Sequence, residues 1–254
     1  MSISHVQTAL LVQLSSVSSG EWVMGAMTSS NLIRVRMASY NGTTLSGSIT
    51  DTQGNLYVKV VDADSISPSG KWASEWWTFA QSGSNTITVD RDGVGAGTHQ
   101  IVGAVSEYYS STGWPTNPVH TFDSASANEQ SPTSPTASVT INTPVLIGAS
   151  ITDWDSNDDY TAPSGTWVNR QAEQGNGDHN AFFTEDRIVS ASGTYNAQWT
   201  TAGTIARSKI IVAYEASPSD NTKHYDSIIF RPSILDSPFI IRPTIDNMAG
   251  ILKS

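Results

Sequence analysis

The sequence predicts an all-β protein: one antiparallel, jelly-roll-like β-sandwich followed by an extended C-terminal arm. Three observations carry that prediction. Apolar and polar residues alternate with a period of two in a dozen short stretches, each bounded by turn residues. No segment sustains a 3.6-residue period over three turns. Charge is scarce, at 14% Asp, Glu, Lys and Arg against about 25% in an average globular chain, and Thr, Ser, Gly and Asn take its place, as suits the outward positions of strands.

The elements follow in order. Residues 9–14 and 21–27 read as strands, and 31–39 (NLIRVRMAS) sets Leu32, Arg34 and Arg36 against Ile33, Val35 and Met37. That alternation predicts a strand with one face buried. Asn41-Gly42 is a hairpin dipeptide. Strands are predicted at 45–51 and 56–61 across the turn Gln53-Gly54-Asn55, then at 72–79, 85–89 and 101–109, with a glycine-rich loop at 92–97. The stretch 124–136 (SASANEQSPTSPT) is poor in apolar residues and reads as a linker or a long surface connection. Strands at 137–141, 145–152, 167–172, 181–189, 194–200 and 208–215 complete the set.

This succession resembles a widespread β-sandwich module of bacterial secreted and surface proteins and of phage structural proteins. Residues 28–216 carry the likeness, through NLIRVRMASYNGT, DTQGNLYVKV, SEWWTFA, IVGAVSEYYS, ASVTINTPVLIGASI and above all EDRIVSASGTYNAQWTT. The resemblance implies a single jelly-roll-like domain over 1–217, without a break at 124–136, and implies no particular activity.

Composition excludes several functions. A formal charge of −10, with 13 Lys and Arg scattered along the chain, predicts no nucleic-acid partner and no anionic membrane surface. No stretch approaches the roughly 20 apolar residues of a membrane span. There is no cysteine, hence no disulfide, thiol chemistry or cysteine metal site. Residues 1–20 lack the basic start of a signal peptide, which predicts a protein made in a host cytoplasm and not exported. The five histidines show no metal-ligand spacing and no Gly-x-Ser-x-Gly elbow occurs. Glu173, Glu185 and Asp186 offer carboxylates, but Glu185 and Asp186 are adjacent on a strand and face opposite ways. No enzyme is predicted, and no cofactor beyond a calcium ion.

Two binding features are weighed against plainer alternatives. Asp153, Asp155 and Asp158 place oxygen ligands in a calcium-loop rhythm, without the glycine and glutamate of an EF-hand; the alternative is a solvated loop. Of the eight tryptophans, Trp114 and Trp154 are the candidates for exposed sugar-stacking surfaces on cell-surface glycans. Trp76 and Trp77 are neighbours on a strand, so one is predicted in the core and the other outward or beneath a loop.

The arm, 218–254, says nearly the same thing twice. Ile229-Phe230-Arg231-Pro232-Ser233-Ile234 is echoed eleven residues later by Ile240-Ile241-Arg242-Pro243-Thr244-Ile245. Each proline removes a donor and holds its neighbourhood extended, and so apolar a ribbon requires cover. Ile229, Phe230, Arg231, Pro232, Ile234, Ile240, Ile241, Arg242, Pro243 and Ile245 are the predicted docking residues. Their surface is either the chain's own sandwich or another copy, a capsid protein or a tail protein, by strand addition. The expected role is a virion structural protein, a capsid-decoration, head-fibre or tail-associated subunit of a bacteriophage. The alternative is a secreted carbohydrate-binding module or adhesin.

Overall fold

The computed structural model describes residues 2–13, 19–39, 48–64, 72–90, 101–127, 137–142, 145–153, 166–173, 181–197, 199 and 207–218. Residues 1–219 form one compact unit and 220–254 a second; the second lies wholly outside the described residues, and with it every predicted docking residue of the arm.

The described chain is all-β and antiparallel, as predicted, but the jelly-roll order is traversed twice. The first pass comprises β1 (Ile3–Gln13), β2 (Ser19–Met27), β3 (Leu32–Ser39), β4 (Ile49–Asp51), β5 (Val58–Asp64), β6 (Trp72–Phe79), β7 (Gly83–Asp90) and β8 (Ile101–Ser110). It forms a five-stranded sheet, β1-β8-β3-β6-β5, and a three-stranded sheet, β2-β7-β4. The second comprises β9 (Val119–Ala127), β10 (Val139–Ile141), β11 (Val145–Asp153), β12 (Val168–Glu173), β13 (Phe182–Val189), β14 (Gly193–Tyr195) and β15 (Arg207–Glu215). It forms β9-β15-β11-β13-β12 and β10-β14. Strand for strand, this is the first order again, with no described counterpart of β4.

Register confirms the duplication. Between β1 and β8 the pairing passes from His5–Tyr108 to Gln7–Glu107 and skips Val6. Between β9 and β15 it passes from Val119–Tyr214 to Thr121–Ala213 and skips His120. The far edge repeats the coincidence: β5 skips Val60 opposite Trp76 and Glu75, and β12 skips Arg170 opposite Glu185 and Thr184. A β-bulge is a specific local device, and two at matched positions mark one architecture used twice. The turn Ser82-Gly83 that opens β7 reappears as Ser192-Gly193 before β14.

The two five-stranded sheets stack on each other, each with its own small sheet behind it. Ile33, Val35, Met37, Trp76, Ile87, Val89, Ile101 and Trp22 fill the first sandwich. Val139, Ile141, Ile147, Ala149, Phe183, Ile211 and Trp199 fill the second. Between the large sheets lies a third apolar cluster, with Leu32, Trp77 and Tyr108 from one and Leu146, Ile210, Val212 and Tyr214 from the other. Each aliphatic side chain buried in these layers is worth about 1.5–3 kcal/mol. Contacts run β5 to β9 and, reciprocally, β1 to β12, the pattern of a two-fold dimer made within one chain. Among the described residues no helix is long and apolar enough to cross a membrane.

Four expectations are corrected. β3 is buried on both faces rather than one: Arg34 and Arg36 are 1% and 2% exposed, because the second large sheet covers them. Trp76 and Trp77 do point apart, yet both are buried, in different layers. Residues 124–127, read as part of a linker or long surface connection, belong to β9, whose small polar residues lie at a sheet edge. Of the strand predicted at 194–200, only Thr194 and Tyr195 are paired among the described residues.

Gly148, at the centre of β11, is what the stacking demands. A Cβ there would overlap the guanidinium nitrogens of both Arg34 and Arg36. Gly148→Ala is expected to cost about 3 kcal/mol by overpacking a buried ionic layer, read as a lower denaturation midpoint with an unchanged m-value. A change below about 0.5 kcal/mol, the range of an ordinary surface substitution, contradicts this packing.

Candidate functional site

The largest concentration of ionisable groups among the described residues lies between the large sheets. Arg34 projects from β3 toward the second repeat because the period-two alternation puts even-numbered β3 residues on that face. Its Nε and Nη2 donate to Glu75 Oε1 on β6 at 2.9 and 2.5 Å, with both side chains fully buried. Arg36 Nε lies 3.2 Å from Glu75 Oε2, and its Nη1 donates to the backbone oxygens of Ala149 at 2.9 Å and Glu185 at 3.4 Å. Arg36 thus reaches across the layer into the backbone of β11 and β13.

Two tyrosines complete the layer, and they are structural equivalents, each opposite the same bulge in its own repeat. Tyr214, from the second repeat, donates to Glu75 of the first at 2.6 Å. Tyr108, from the first, donates to Asp186 of the second at 2.5 Å. Asp186 also accepts a two-pronged contact from Arg170 on β12, at 2.7 and 2.9 Å. The Arg34 guanidinium sits 4.7 Å from the Tyr214 ring centre and 5.7 Å from that of Tyr108, a desolvated cation–π arrangement.

Burial pushes the Glu75 carboxyl up, to about 7, against the pull of the Arg34 guanidinium and the Tyr214 hydroxyl. Burial likewise raises both tyrosines, with the neighbouring carboxylates adding to it, so each stays a neutral donor. His5 stands at the rim, edge-on to Tyr108 at 5.5 Å; burial and then Arg170 lower its pKa and favour the neutral ring.

Other clusters serve local structure. Glu107 accepts from Thr28 N, Asn31 Nδ2 and Gln7 Nε2 at 2.9, 2.7 and 2.6 Å, tying β1, β8 and the turn between β2 and β3 together. Asp51 accepts from Gln53 N, Asn55 N, Asn55 Nδ2, Tyr57 and Asn85. Burial opposes its charge, but these donors win and lower its pKa. Inside the second sandwich, burial pushes Glu185 up to about 7, opposed by the neighbouring Trp199 indole, and pushes Lys209 down to about 8.

The predicted binding residues are not brought together. Trp114 is half-covered and packs against the inter-sheet cluster, and its indole nitrogen is buried without a hydrogen-bond partner among the described residues. That is not the exposed stacking face predicted for it. Asp153 ends β11, its backbone paired with Arg207, while Trp154, Asp155 and Asp158 lie outside the described residues. No group of three or more His, Cys, Asp or Glu among the described residues is placed to hold a metal. Glu185 and Asp186 face opposite sides of β13, as expected: Asp186 meets Tyr108, and Glu185 meets Trp199.

No protein family, no curated protein and no solved structure matches the chain.

Two measurements probe these groups. Tyr108→Phe and Tyr214→Phe each leave a buried carboxylate one donor short, an expected loss of about 1–3 kcal/mol apiece in chemical unfolding; stability indistinguishable from the parent would show the bonds to be idle. Glu185 holds its proton in the fold up to about pH 7, whereas the unfolded chain releases it near about 4.3. Its contribution is therefore full below that lower value and lost as pH rises through 7. Glu185→Gln is expected to flatten the fall in stability across that window, and an unchanged slope would place the titration elsewhere.

Proposed function

We propose that the chain is a virion structural protein, a capsid-decoration, head-fibre or tail-associated subunit of a phage, built as a rigid double sandwich and attached through residues 226–254. The observation that carries this reading is how the buried charges are used. Arg34, Arg36, Glu75, Glu107, Asp186 and Lys209 all have partners within the fold. They knit strands, sheets and repeats together. A group enclosed in this way cannot meet a substrate, and such an arrangement serves stiffness.

The sequence adds the means of attachment. The two apolar, proline-containing hexamers that begin at Ile229 and Ile240 suit strand addition to a neighbouring subunit, a mode in which backbone hydrogen bonds give affinity and alternate side chains give specificity. Burying five or six such side chains at about 1.5–3 kcal/mol each is enough gross energy for stable attachment after ordering costs.

The test compares the full chain with a variant lacking residues 226–254, by light scattering and thermal unfolding. The full chain is expected to form a defined assembly, and the shortened chain a monomer melting at the same temperature. A monomeric full chain, or a shortened chain that unfolds, contradicts the proposed role of the arm.

A further inference from the structure

We propose that Lys209 and Asn196 are joined by an isopeptide bond that the folded chain makes for itself inside the second repeat. The inference does not depend on the role proposed above.

Lys209 on β15 is completely buried, on the face of its sheet that looks toward β10 and β14. Its Nζ is in direct contact with the side-chain amide of Asn196, one residue beyond β14. The Trp199 ring covers the amine, 5.8 Å from centroid to nitrogen. Among the described residues, no carboxylate forms a salt bridge with Lys209. An ammonium sealed in such a layer is costly, and burial accordingly favours the free amine, the nucleophilic form.

Carboxyl groups stand in the same layer. Glu185 is 1% exposed, stands beside the same Trp199, and leaves Oε2 without a hydrogen-bond partner among the described residues. Asp123 on β9 is the charged group whose field Lys209 feels.

The first repeat shows that the fold does not need these groups. Register places Gly103 where Lys209 stands, Met37 being its cross-strand partner as Ile151 is for Lys209. Trp76 occupies the place of Glu185, beside the matched bulge. Val89 occupies that of Trp199, six residues after the matched glycine. Thr86 stands where Asn196 does, three residues after that glycine, so an amine, an amide and a carboxyl were set into a layer that its twin fills with Gly103, Thr86 and Trp76.

The chemistry closes without a co-reactant. The Nζ lone pair attacks Cγ of Asn196, and the bond from Cγ to the side-chain nitrogen breaks. One ammonium and one carboxamide become one secondary amide and one ammonium ion, so atoms, protons and charge balance. The proton released by the amine travels to the departing nitrogen. The product is uncharged, which removes the cost of holding an ammonium in a buried layer. It fastens the exit of β14 to β15, and hence the small sheet to the large one, in a chain that has no cysteine.

Mass spectrometry of the folded full chain decides the matter. The intact mass is expected to fall one ammonia short of the sequence mass, trypsin to leave Lys209 uncut, and fragmentation to show a branched species linking Asn196 to Lys209. Lys209→Met and Asn196→Ala should each restore the missing ammonia. Cleavage after Lys209, with Asn196 recovered as an intact amide in a linear peptide, overturns the proposal. So does a mass deficit without the branched fragment, because succinimide formation at Asn41-Gly42 or Asn176-Gly177 also loses ammonia.

Discussion

The Arg34–Glu75 pair over Gly148 is the constraint on which the rest of the structure depends. A guanidinium and a carboxylate that are both fully enclosed are tolerable only when each is answered by good geometry and further hydrogen bonds. Here the answers come from both repeats: Tyr214 donates to Glu75, and Arg36 anchors in the carbonyls of Ala149 and Glu185. Pulling the repeats apart would leave Glu75 without Tyr214 and Arg36 without its acceptors. The joint is therefore specific as well as adhesive, because an apolar layer tolerates sliding and this one fixes a single register.

The joint is symmetric in plan and asymmetric in detail. Equivalent tyrosines reach across it to carboxylates on equivalent strands, β6 and β13. At the centre the repeats have diverged, since β3 offers two long cations where β11 offers Gly148 and Ser150. One side protrudes and the other yields. A two-fold contact between identical repeats would set arginine against arginine. Divergence after duplication lets one repeat supply the charge and the other the space.

Much of the fold was legible in the sequence. Period-two alternation located nearly all the strands, because a strand between a core and any second environment alternates in chemistry. What alternation cannot do is name the second environment. Arg34 and Arg36 look the same from the sequence whether their face meets water or a paired, hydrogen-bonded layer, so the packing of one large sheet on the other was invisible. The adjacent Trp76 and Trp77 were the available hint, since a sheet apolar on both faces must be covered on both. The duplication left only faint traces, the Asn-Leu-Ile of β3 against Val-Leu-Ile of β11 and the paired Ser-Gly turns; its decisive signature, the matched bulges, is a feature of pairing that composition does not record. Strand β9 escaped notice because an edge strand of Ser, Ala and Thr carries little apolar signal. For the candidate sites, the partial cover over Trp114 was not legible, because a tryptophan in a Gly-Trp-Pro turn shows no sign of the cluster beneath it.

An inter-repeat layer of this kind predicts that the two sandwiches open as one. Native-state hydrogen exchange at Val35 of β3 and Ala149 of β11, the middle strands of the two large sheets, tests this most directly. Both amides should exchange only through global unfolding, with the same free energy and the same dependence on denaturant. If Ala149 exchanges at a distinctly lower free energy while Val35 remains protected, the repeats unfold independently and the buried arginine layer is not what unites them.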